Sequence, residues 1–287
     1  MNNNPLVSVV INCHNSETYL REAIHSVLNQ TYENWELIFW DNNSSDGSAG
    51  IAQSYDQIRY FFNEETIPLG EARQRASEYC NGEYLAYLDC DDFWYPDKLS
   101  KQVQLITSED NLGFVYGKTD VLYQDTGITK DFGTRKYLPE GYIFSELIKE
   151  DFIPFPSVLI DMKKFQQIGG FPIDFINSPD YWIFLHLSHI HAVKALQESC
   201  CVYRIHKQNL SKKQVVASAL ESIELVKRFL PAPEAKVGLM HHGVTLSFSY
   251  FRAKRYSEFL KSLFRISWQI FFTRIIKKAL RQVLFWK

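Results

Sequence analysis

Three carboxylates follow directly on an apolar run in the first half of the chain. The run Tyr84–Leu88 is apolar and aromatic, and Asp89, Asp91 and Asp92 come within the next four residues. Carboxylates that crowd at the end of a buried strand repel one another unless a cation or a proton lies between them. Mg2+ and Mn2+ prefer such oxygen ligands, and Mg2+ often binds substrate phosphates as well. The segment therefore predicts a divalent cation that carries a diphosphate, or alternatively an acidic turn that caps the next helix.

A second acid, Asp41, stands at the same kind of position. It follows the apolar run Trp35–Trp40 and opens a stretch of turn-forming residues. A carboxylate there could accept a hydrogen bond from the N3–H of uracil or thymine, or it could form an Asx-turn or cap the next helix. Arg73 precedes the acidic strand, and it could face a nucleotide or pair with Glu71 or Asp89.

Short apolar runs alternate with segments of helical periodicity through this half of the chain. The predicted strands are Leu6–Ile11, Trp35–Trp40, Ile58–Phe62 and Tyr84–Leu88, and the predicted helices cover Leu20–Leu28 and Leu69–Cys80. Units of strand, helix and strand form right-handed crossovers and a parallel, doubly wound sheet. Ligands bind at the carboxyl ends of such strands, so Asp41 and Asp89 are expected at the same edge of the sheet.

The bulk composition narrows the class of protein. The 287 residues are 46% hydrophobic, which is enough for a full core and excludes a disordered chain. A net charge of −2 gives no overall reason to expect a nucleic-acid partner. Five cysteines without a C-x-x-C pair favour a reducing compartment over a disulfide framework. The first residues lack signal-peptide features and no uncharged apolar run reaches about 18 residues, so neither a leader nor a spanning helix is predicted.

Three stretches, in order and at ordinary spacing, resemble the family 2 glycosyltransferases of GT-A fold. The opening strand and loop, Val7–Asn15, is similar to the family's V-S-V-I-I-P-T-Y-N. Glu36–Gly47 resembles E-I-I-V-V-D-D-G-S-T-D-G, and Gly82–Asp92 is close to G-E-Y-I-A-F-L-D-x-D-D. The resemblance covers residues 5–211 and implies a metal-dependent, inverting transfer of a sugar from a nucleotide-sugar.

The resemblance also implies roles for individual residues. Those that would bind the nucleotide-sugar are Asn15, Asp41, Arg73, Asp89 and Arg204. Asp41 would hold the uracil ring, Asp89 would face the ribose and help the metal, and Asp91 would ligate the metal directly. Arg73 falls in the family's A-R-N segment, in which Gln74 replaces the usual Asn.

The catalytic base that the resemblance implies lies in the second half of the chain. Ile168–Pro172 resembles the family's G-G-F-D turn, and Asp180 matches the second acid of the E-D pair that follows it, with Pro179 in place of the first acid. An acceptor hydroxyl must lose its proton as it attacks the anomeric carbon, and a carboxylate within about 3 Å can take that proton. Alternatively, Asp180 is a first-turn acid of the helix that follows.

The closing segment of the resemblance is Tyr203–Ser211, which looks like the family's Y-R-x-H-x-x-N-x-S. Arg204 or His206 could reach the diphosphate, and His206 could be a third metal ligand or a packed or surface histidine. The predicted catalytic domain covers residues 1–211, with a nucleotide-binding half at 1–117 and an acceptor half at 118–211. A helical pattern occupies residues 212–287.

The C-terminal region 250–287 is strongly basic. Its ten Lys or Arg residues and one acid, Glu258, give +9, so the rest of the chain is near −11. Basic residues on one side of a helix and apolar residues on the other are typical of a helix in an anionic membrane surface. Such a helix could instead pack on the catalytic domain or on a second copy of the chain, as a homodimer. The residues concerned are Arg274, Lys277, Lys278 and Arg281 on the basic side and Trp268, Phe271, Phe272, Ile275, Ala279 and Val283 on the apolar side.

Together these features predict an α/β GT-A fold, a doubly wound mixed sheet with a helical C-terminal extension. The expected activity is transfer from a UDP-sugar, with Mn2+ or Mg2+, to a glycan or lipid-linked acceptor. The expected setting is surface-polysaccharide synthesis at the cytoplasmic face of a bacterial membrane. Two alternatives remain open: a non-catalytic module that binds a nucleotide-sugar, and a nucleotidyltransferase, which would carry a Gly-rich, basic loop after the first strand. The loop Asn12–Asn15 contains neither glycine nor lysine.

Overall fold

Nine β-strands form one sheet in the computed structural model, which describes residues 4–129, 135–207, 209, 214–264, 268 and 271–272. The strands are β1 (Val7–Cys13), β2 (Trp35–Asp41), β3 (Ile58–Phe62), β4 (Tyr84–Asp89), β5 (Phe93–Trp94), β6 (Leu112–Tyr123), β7 (Gly127–Thr129), β8 (Leu159–Asp161) and β9 (Ala192–Ile205). Their order across the sheet is β3-β2-β1-β4-β8-β6-β9-β5, and β7 pairs with β6.

Helices connect most of these strands and form the C-terminal region. They are α1 (Glu17–Leu28), α2 (Ser48–Gln53), α3 (Leu69–Ser77), α4 (Lys98–Ile106), α5 (Phe144–Leu147), α6 (Met162–Gln167), α7 (Pro179–Ile190), α8 (Val215–Lys227), α9 (Pro233–Arg252) and α10 (Tyr256–Leu263). In α1 the residues that recur at helical spacing are the buried ones, so its amphipathic pattern gives its orientation.

The first four strands are parallel, as predicted. β1 lies between β2 and β4, and β3 pairs with the outer side of β2. The central position of β1 explains why it is apolar at nearly every residue, since both of its faces are covered. Within this register Asn12 lies beside Trp40 on one neighbour and beside Asp89 on the other. The carboxyl ends of β1, β2 and β4 therefore meet at one edge.

Beyond β4 the sheet becomes mixed, which confirms the predicted α/β class. β8 runs antiparallel to β4 and β6, β9 runs parallel to β6, and β5 and β7 are antiparallel additions. The sequence also predicts strands at Phe114–Gly117 and Ser157–Ile160. The first lies within the longer β6, and β8 begins inside the second. The 14-residue β9 is absent from the predictions because exposed Gln197 and Glu198 interrupt its apolar pattern.

The chain divides into two compact units. One contains residues 1–144 and 152–207, and the other contains residues 145–151 and 208–287. In the second unit α9 packs against both α8 and α10. The predicted basic helix lies outside the described residues, apart from Trp268, Phe271 and Phe272. Within the part of the chain that the structure describes, no helix has both the length and the apolarity needed to cross a bilayer.

Candidate active site

Asn15 links the loops that follow β1 and β2. Its side-chain Oδ1 accepts the backbone N–H of Ser45 at 2.8 Å and that of Asp46 at 3.3 Å. Its own backbone N–H donates to Ser44 Oγ at 3.0 Å. The φ of Asn15 is 54°, a left-handed conformation that Asn tolerates better than most residues. In this structure the residue shapes the loop after β2, and its contact with a nucleotide remains a prediction.

Asp41 is buried at the end of β2, and the protein itself already uses both of its oxygens. Oδ1 accepts the backbone N–H of Ser44 at 2.8 Å, which is the turn-forming role considered above. Oδ2 accepts the hydroxyl of Tyr60 at 2.8 Å, and burial together with this carboxylate raises the pKa of Tyr60. Because a carboxylate oxygen has two acceptor sites, these bonds leave capacity for a donor such as uracil N3–H.

Arg73 pairs with Asp89 rather than with Glu71. Its Nη2 lies 2.9 Å from Asp89 Oδ1, whereas Glu71 pairs with Arg75 one turn further along α3. Arg73 is 4% exposed, its guanidinium lies 4.2 Å from the centre of the Phe155 ring, and its Nε is buried without a hydrogen-bond partner. A fixed cation with an unused donor therefore stands beside the first acid of the cluster.

Asp91 and His206 contact each other at the turn that ends β4, which we call the acid loop (residues 89–92). His206 Nε2 lies 2.8 Å from Asp91 Oδ2, and the ring of His206 packs 5.1 Å from that of Tyr19. Burial, and secondly the charge of Asp89, raise the pKa of Asp91, while His206 opposes that change. The structure thus brings the predicted second and third metal ligands into contact with each other.

Asp92 lies deeper than its sequence suggests. It is 1% exposed, its Oδ1 accepts the backbone N–H of Arg204 at 2.7 Å, and its Oδ2 has no hydrogen-bond partner. Burial, with Asp91 and Asp89 adding to it, raises the pKa of Asp92 well above its usual range. Asp92 does not cap the next helix, because α4 begins after Asp97, which occupies the N-cap position. Asp92 instead joins the acid loop to β9.

Arg204 holds the acid loop from the end of β9. Its Nε donates to the backbone carbonyl of Asp91 at 2.7 Å, its Nη1 donates to Gln124 Oε1 at 2.9 Å, and its Nη2 pairs with Glu22. The guanidinium also lies 4.5 Å from the centre of the Tyr19 ring. These contacts fix the position of the Asp91 backbone. Contact of Arg204 with a diphosphate remains a prediction. No spacing in the sequence could reveal Glu22, which is 182 residues from Arg204.

The donor atoms after β4 suit a hard divalent cation. Two carboxylates and an imidazole are accepted ligands of Mn2+, and carboxylates are the usual protein ligands of Mg2+. Burial first, and then the charge of Asp89, raise the pKa of Asp91, and a bound cation would offset both effects. In the structure Asp89 faces Arg73 and Asp91 faces His206, and among the residues described no three His, Cys, Asp or Glu side chains form a metal-sized group. Asp89, Asp91 and His206 would hold the cation in exchange for these pairings.

Asp180 interacts electrostatically with Arg73 and Asp89. It is half-buried in the first turn of α7, with Pro179 at the first helical position. Burial raises the pKa of Asp180; the charge of Arg73 opposes the rise and the charge of Asp89 adds to it. Asp180 is therefore a first-turn acid whose charge interacts with the charges of Arg73 and Asp89. Its role as a base remains a prediction.

A model of glycosyl transferase family 2 matches residues 8–169, more than half of the chain. Among curated relatives, the Escherichia coli enzyme UDP-Glc:alpha-D-GlcNAc-diphosphoundecaprenol beta-1,3-glucosyltransferase WfgD is 28% identical over 213 residues, a match that covers 73% of this chain and 81% of that protein. An uncharacterized Rickettsia bellii glycosyltransferase is 28% identical over 221 residues, and there the chain spans only 31% of the relative's length.

Solved structures share the fold. Residues 1–349 of Staphylococcus aureus TarS in complex with UDP-GlcNAc superpose with a TM-score of 0.63 at 16% identity, over 86% of this chain and 72% of that one. The mannosyltransferase PcManGT of Pyrobaculum calidifontis, in complex with GDP-Man and Mn2+, gives 0.67 at 15% identity, over 97% and 81%. At these identities the likeness concerns the fold alone, and it confirms the predicted GT-A fold.

Proposed function

This chain belongs to glycosyl transferase family 2, and from that membership we propose that it moves a sugar from a UDP-sugar to a hydroxyl of a glycan or lipid-linked acceptor, with inversion at the anomeric carbon. Family membership makes the chain a glycosyltransferase. The donor, the acceptor, the stereochemistry and the metal are what the proposal adds.

One observation carries the proposal: acids from two separate parts of the chain, Asp89 and Asp180, interact with the buried guanidinium of Arg73. Asp89 lies 2.9 Å from Arg73, and Asp91 follows Asp89 two residues later. Asp180, nearly a hundred residues further on, feels the charges of both Arg73 and Asp89. A donor-side acid pair and a separate carboxylate near it are what an in-line displacement with a general base requires.

The proposed mechanism gives each acid a distinct task. Asp180 takes the proton of the acceptor hydroxyl as that oxygen attacks the anomeric carbon from the face opposite the diphosphate. Its raised pKa makes it a stronger base than an ordinary Asp, and Arg73 keeps the carboxyl ionisable. Asp89, Asp91 and His206 would hold Mn2+ or Mg2+, which when bound supplies positive charge to the leaving diphosphate.

A thermal-shift panel tests the donor. We expect UDP-Glc or UDP-GlcNAc with Mn2+ to raise the melting temperature by several degrees, because a ligand at about 100 times its Kd stabilises the native state by about 2.7 kcal/mol. UDP without a metal should shift it less. If GDP-Man raised the melting temperature and no UDP-sugar did, the assignment of a UDP-sugar donor would be wrong.

Product analysis separates the alternatives. The proposal expects slow metal-dependent release of UDP from the UDP-sugar, through attack by water. A rise in melting temperature with the UDP-sugar but no release of UDP would favour the non-catalytic module. Release of pyrophosphate when UTP and a sugar 1-phosphate are supplied would favour the nucleotidyltransferase.

The acceptor class rests on a relative and on the basic C-terminal region. The Escherichia coli relative is named for a diphosphoundecaprenol-linked acceptor. A lipid-linked acceptor is found at a membrane, and the basic residues of 250–287 suit an anionic surface. We therefore place this enzyme in cell-surface polysaccharide synthesis, peripheral to the cytoplasmic face of a membrane.

The described part of the second unit exposes the side chains that such a position needs. Four basic residues accompany one acid between residues 251 and 264, and the neighbouring large apolar side chains are 48% to 92% exposed. Those apolar residues are Phe251, Tyr256, Leu260, Phe264, Trp268 and Phe272. Exposed aromatic residues among basic ones bind the headgroup region of an anionic bilayer in two ways: the apolar surface is buried, and the basic residues are attracted to the anionic lipids.

Vesicle sedimentation tests this position. The full chain should sediment with vesicles of phosphatidylcholine and phosphatidylglycerol, and less with phosphatidylcholine alone. Phe264→Ser should weaken binding about thirtyfold, since a buried Phe side chain contributes about 2 kcal/mol and each 1.4 kcal/mol is about tenfold in affinity. Ile128→Ser, at another exposed apolar position, is the matched control. Equal binding to both vesicle types would contradict the anionic surface, and a dimer that Phe264→Ser dissociates would make a second copy the occupant instead.

A further inference from the structure

Helix α3 presents one face to two parts of the site. Gly70, Arg73, Gln74 and Ser77 follow one another at helical spacing, and Gly70, Arg73 and Ser77 are buried. Arg73 on this face pairs with Asp89 at the end of β4. Its neighbours on the same face contact the segment that leads to α7, which we call the base loop (residues 170–179).

Gln74 holds the start of the base loop. Its Oε1 accepts the backbone N–H of Phe171 at 2.9 Å. The same oxygen lies 2.2 Å from the place where a Cβ on Gly170 would be, and the φ of Gly170 is +70°, in the region that favours glycine. Gly170 therefore lets the backbone approach Gln74 closely. An Asn, which the family usually has at position 74, is one methylene shorter and would not reach as far.

Gly70 underlies the middle and the end of the base loop. A Cβ at Gly70 would lie 2.4 Å from the carbonyl oxygen of Pro172 and 2.6 Å from that of Phe175. It would also lie 3.4 Å from Cβ of Pro179, the residue before Asp180. Both close neighbours are backbone atoms, so a side chain there would have to push the loop away. Helix α3 thus touches the base loop at its start, middle and end.

We propose that Gln74 and Gly70 are positioning residues that set Asp180 at its working distance from the acid loop. Resting on the proposed function, this inference makes α3 the element that joins the donor side, through Arg73, to the acceptor side. In this proposal each residue acts on Asp180 through its contact with the base loop. Proton transfer in a displacement requires accurate placement, and a shift of about 1 Å can cost about a hundredfold in rate.

Three substitutions and one control separate positioning from simple packing. Gly70→Ala displaces the base loop without removing any functional group. Gln74→Met keeps the length of the side chain but lacks the strong acceptor, whereas Gln74→Glu keeps both. Gly50→Ala is the control. Gly50 also lies in a helix, as Gly70 does, but a Cβ at Gly50 meets nothing within 4 Å.

The kinetic measurement is the turnover number for transfer beside the affinity for UDP. We expect turnover to fall about a hundredfold in Gly70→Ala and about tenfold in Gln74→Met, with UDP affinity within about threefold of the parent in both. Gln74→Glu should stay within about threefold of the parent, and Gly50→Ala should match it. Unchanged turnover in Gly70→Ala, or UDP affinity that falls in parallel with turnover, would overturn the proposal.

Hydrogen exchange tests the contact of Gln74 and Gly70 with the base loop, which we call the clamp, independently of turnover. Amides of residues 170–180 should exchange faster in Gln74→Met than in the parent or in Gln74→Glu, while amides of β1 and β4 stay unchanged. This result is readable even if the parent transfers no sugar, so failure of the proposed function and failure of the clamp are distinguishable. Unchanged exchange of the base loop in both Gln74→Met and Gly70→Ala would overturn the clamp.

Discussion

Asp91→Asn is expected to abolish sugar transfer, with a loss of about three orders of magnitude or more, while the protein stays folded. The amide oxygen of Asn can still accept a hydrogen bond from His206, but it brings no negative charge to a divalent cation. Metal-assisted departure of a diphosphate depends on charge stabilisation worth several kcal/mol, and each 1.36 kcal/mol is about tenfold in rate. The measurement is UDP release with a saturating acceptor, over a range of Mn2+ concentrations.

Asp97→Asn is the matched control for that experiment. Asp97 lies six residues after Asp91, is a partly exposed acid, and pairs with Lys101 of α4. Its loss should leave transfer unchanged, since it removes the same charge outside the acid loop. If Asp91→Asn kept near-normal transfer at saturating Mn2+, the assignment of Asp91 as a metal ligand would be wrong.

Asp180→Asn is expected to lose transfer by about 100-fold to 10,000-fold and to keep its affinity for the UDP-sugar. A positioned general base contributes about that much, and the amide of Asn cannot accept the acceptor's proton. The proposed function assigns donor binding to Asp41 and the acid loop, so this substitution should leave it intact. Turnover by UDP release and binding by thermal shift give the two readouts. A variant with near-normal turnover would clear Asp180 of the base role.

The pH dependence of the parent adds a second signature. The pKa of Asp180 is raised, by burial first, and the base works only when ionised. Transfer should therefore fall as pH decreases through that raised pKa, at a higher pH than an ordinary Asp would give. The sign for stability is opposite. A raised native pKa means that the folded state binds the proton more tightly, so the ionised carboxyl destabilises the fold above that pKa. At neutral pH Asp180→Asn should melt no lower than the parent.

The sheet edge at the carboxyl ends of β1, β2 and β4 was predictable because the sequence patterns that indicate it are local. Each of β1, β2 and β4 is a short apolar run that ends in polar residues, and parallel pairing brings those ends together. Asp89 and Asp91 therefore fall at the edge that the sequence indicates. The pairing of Arg73 could not be chosen in advance, because Glu71 and Asp89 both lay within reach of an arginine on α3.

The contacts of the acid loop with β9 were not predictable, because they depend on tertiary structure. Asp92 is an acid next to two other acids, a pattern that ordinarily indicates solvent, yet β9 covers it. β9 itself is hidden by the exposed residues at its middle. The electrostatic interaction of Asp180 with Asp89 likewise depends on tertiary structure, because the start of α7 lies beside Gly70 of α3. The family resemblance predicted Asp180 as a site residue, but only the structure gives its interactions with Arg73 and Asp89.

Arg204 lies 113 residues after Asp91, and this separation imposes an order of assembly on the protein. Chains emerge from the ribosome amino terminus first, so β1 to β4 can pair while β9 is still unmade. During that interval Asp91 and Asp92 stand together without the guanidinium and the backbone N–H that residue 204 later brings. A half-synthesised chain thus has the sheet edge of the enzyme without its finished acid loop, and translation must pass β9 before the loop takes its final shape.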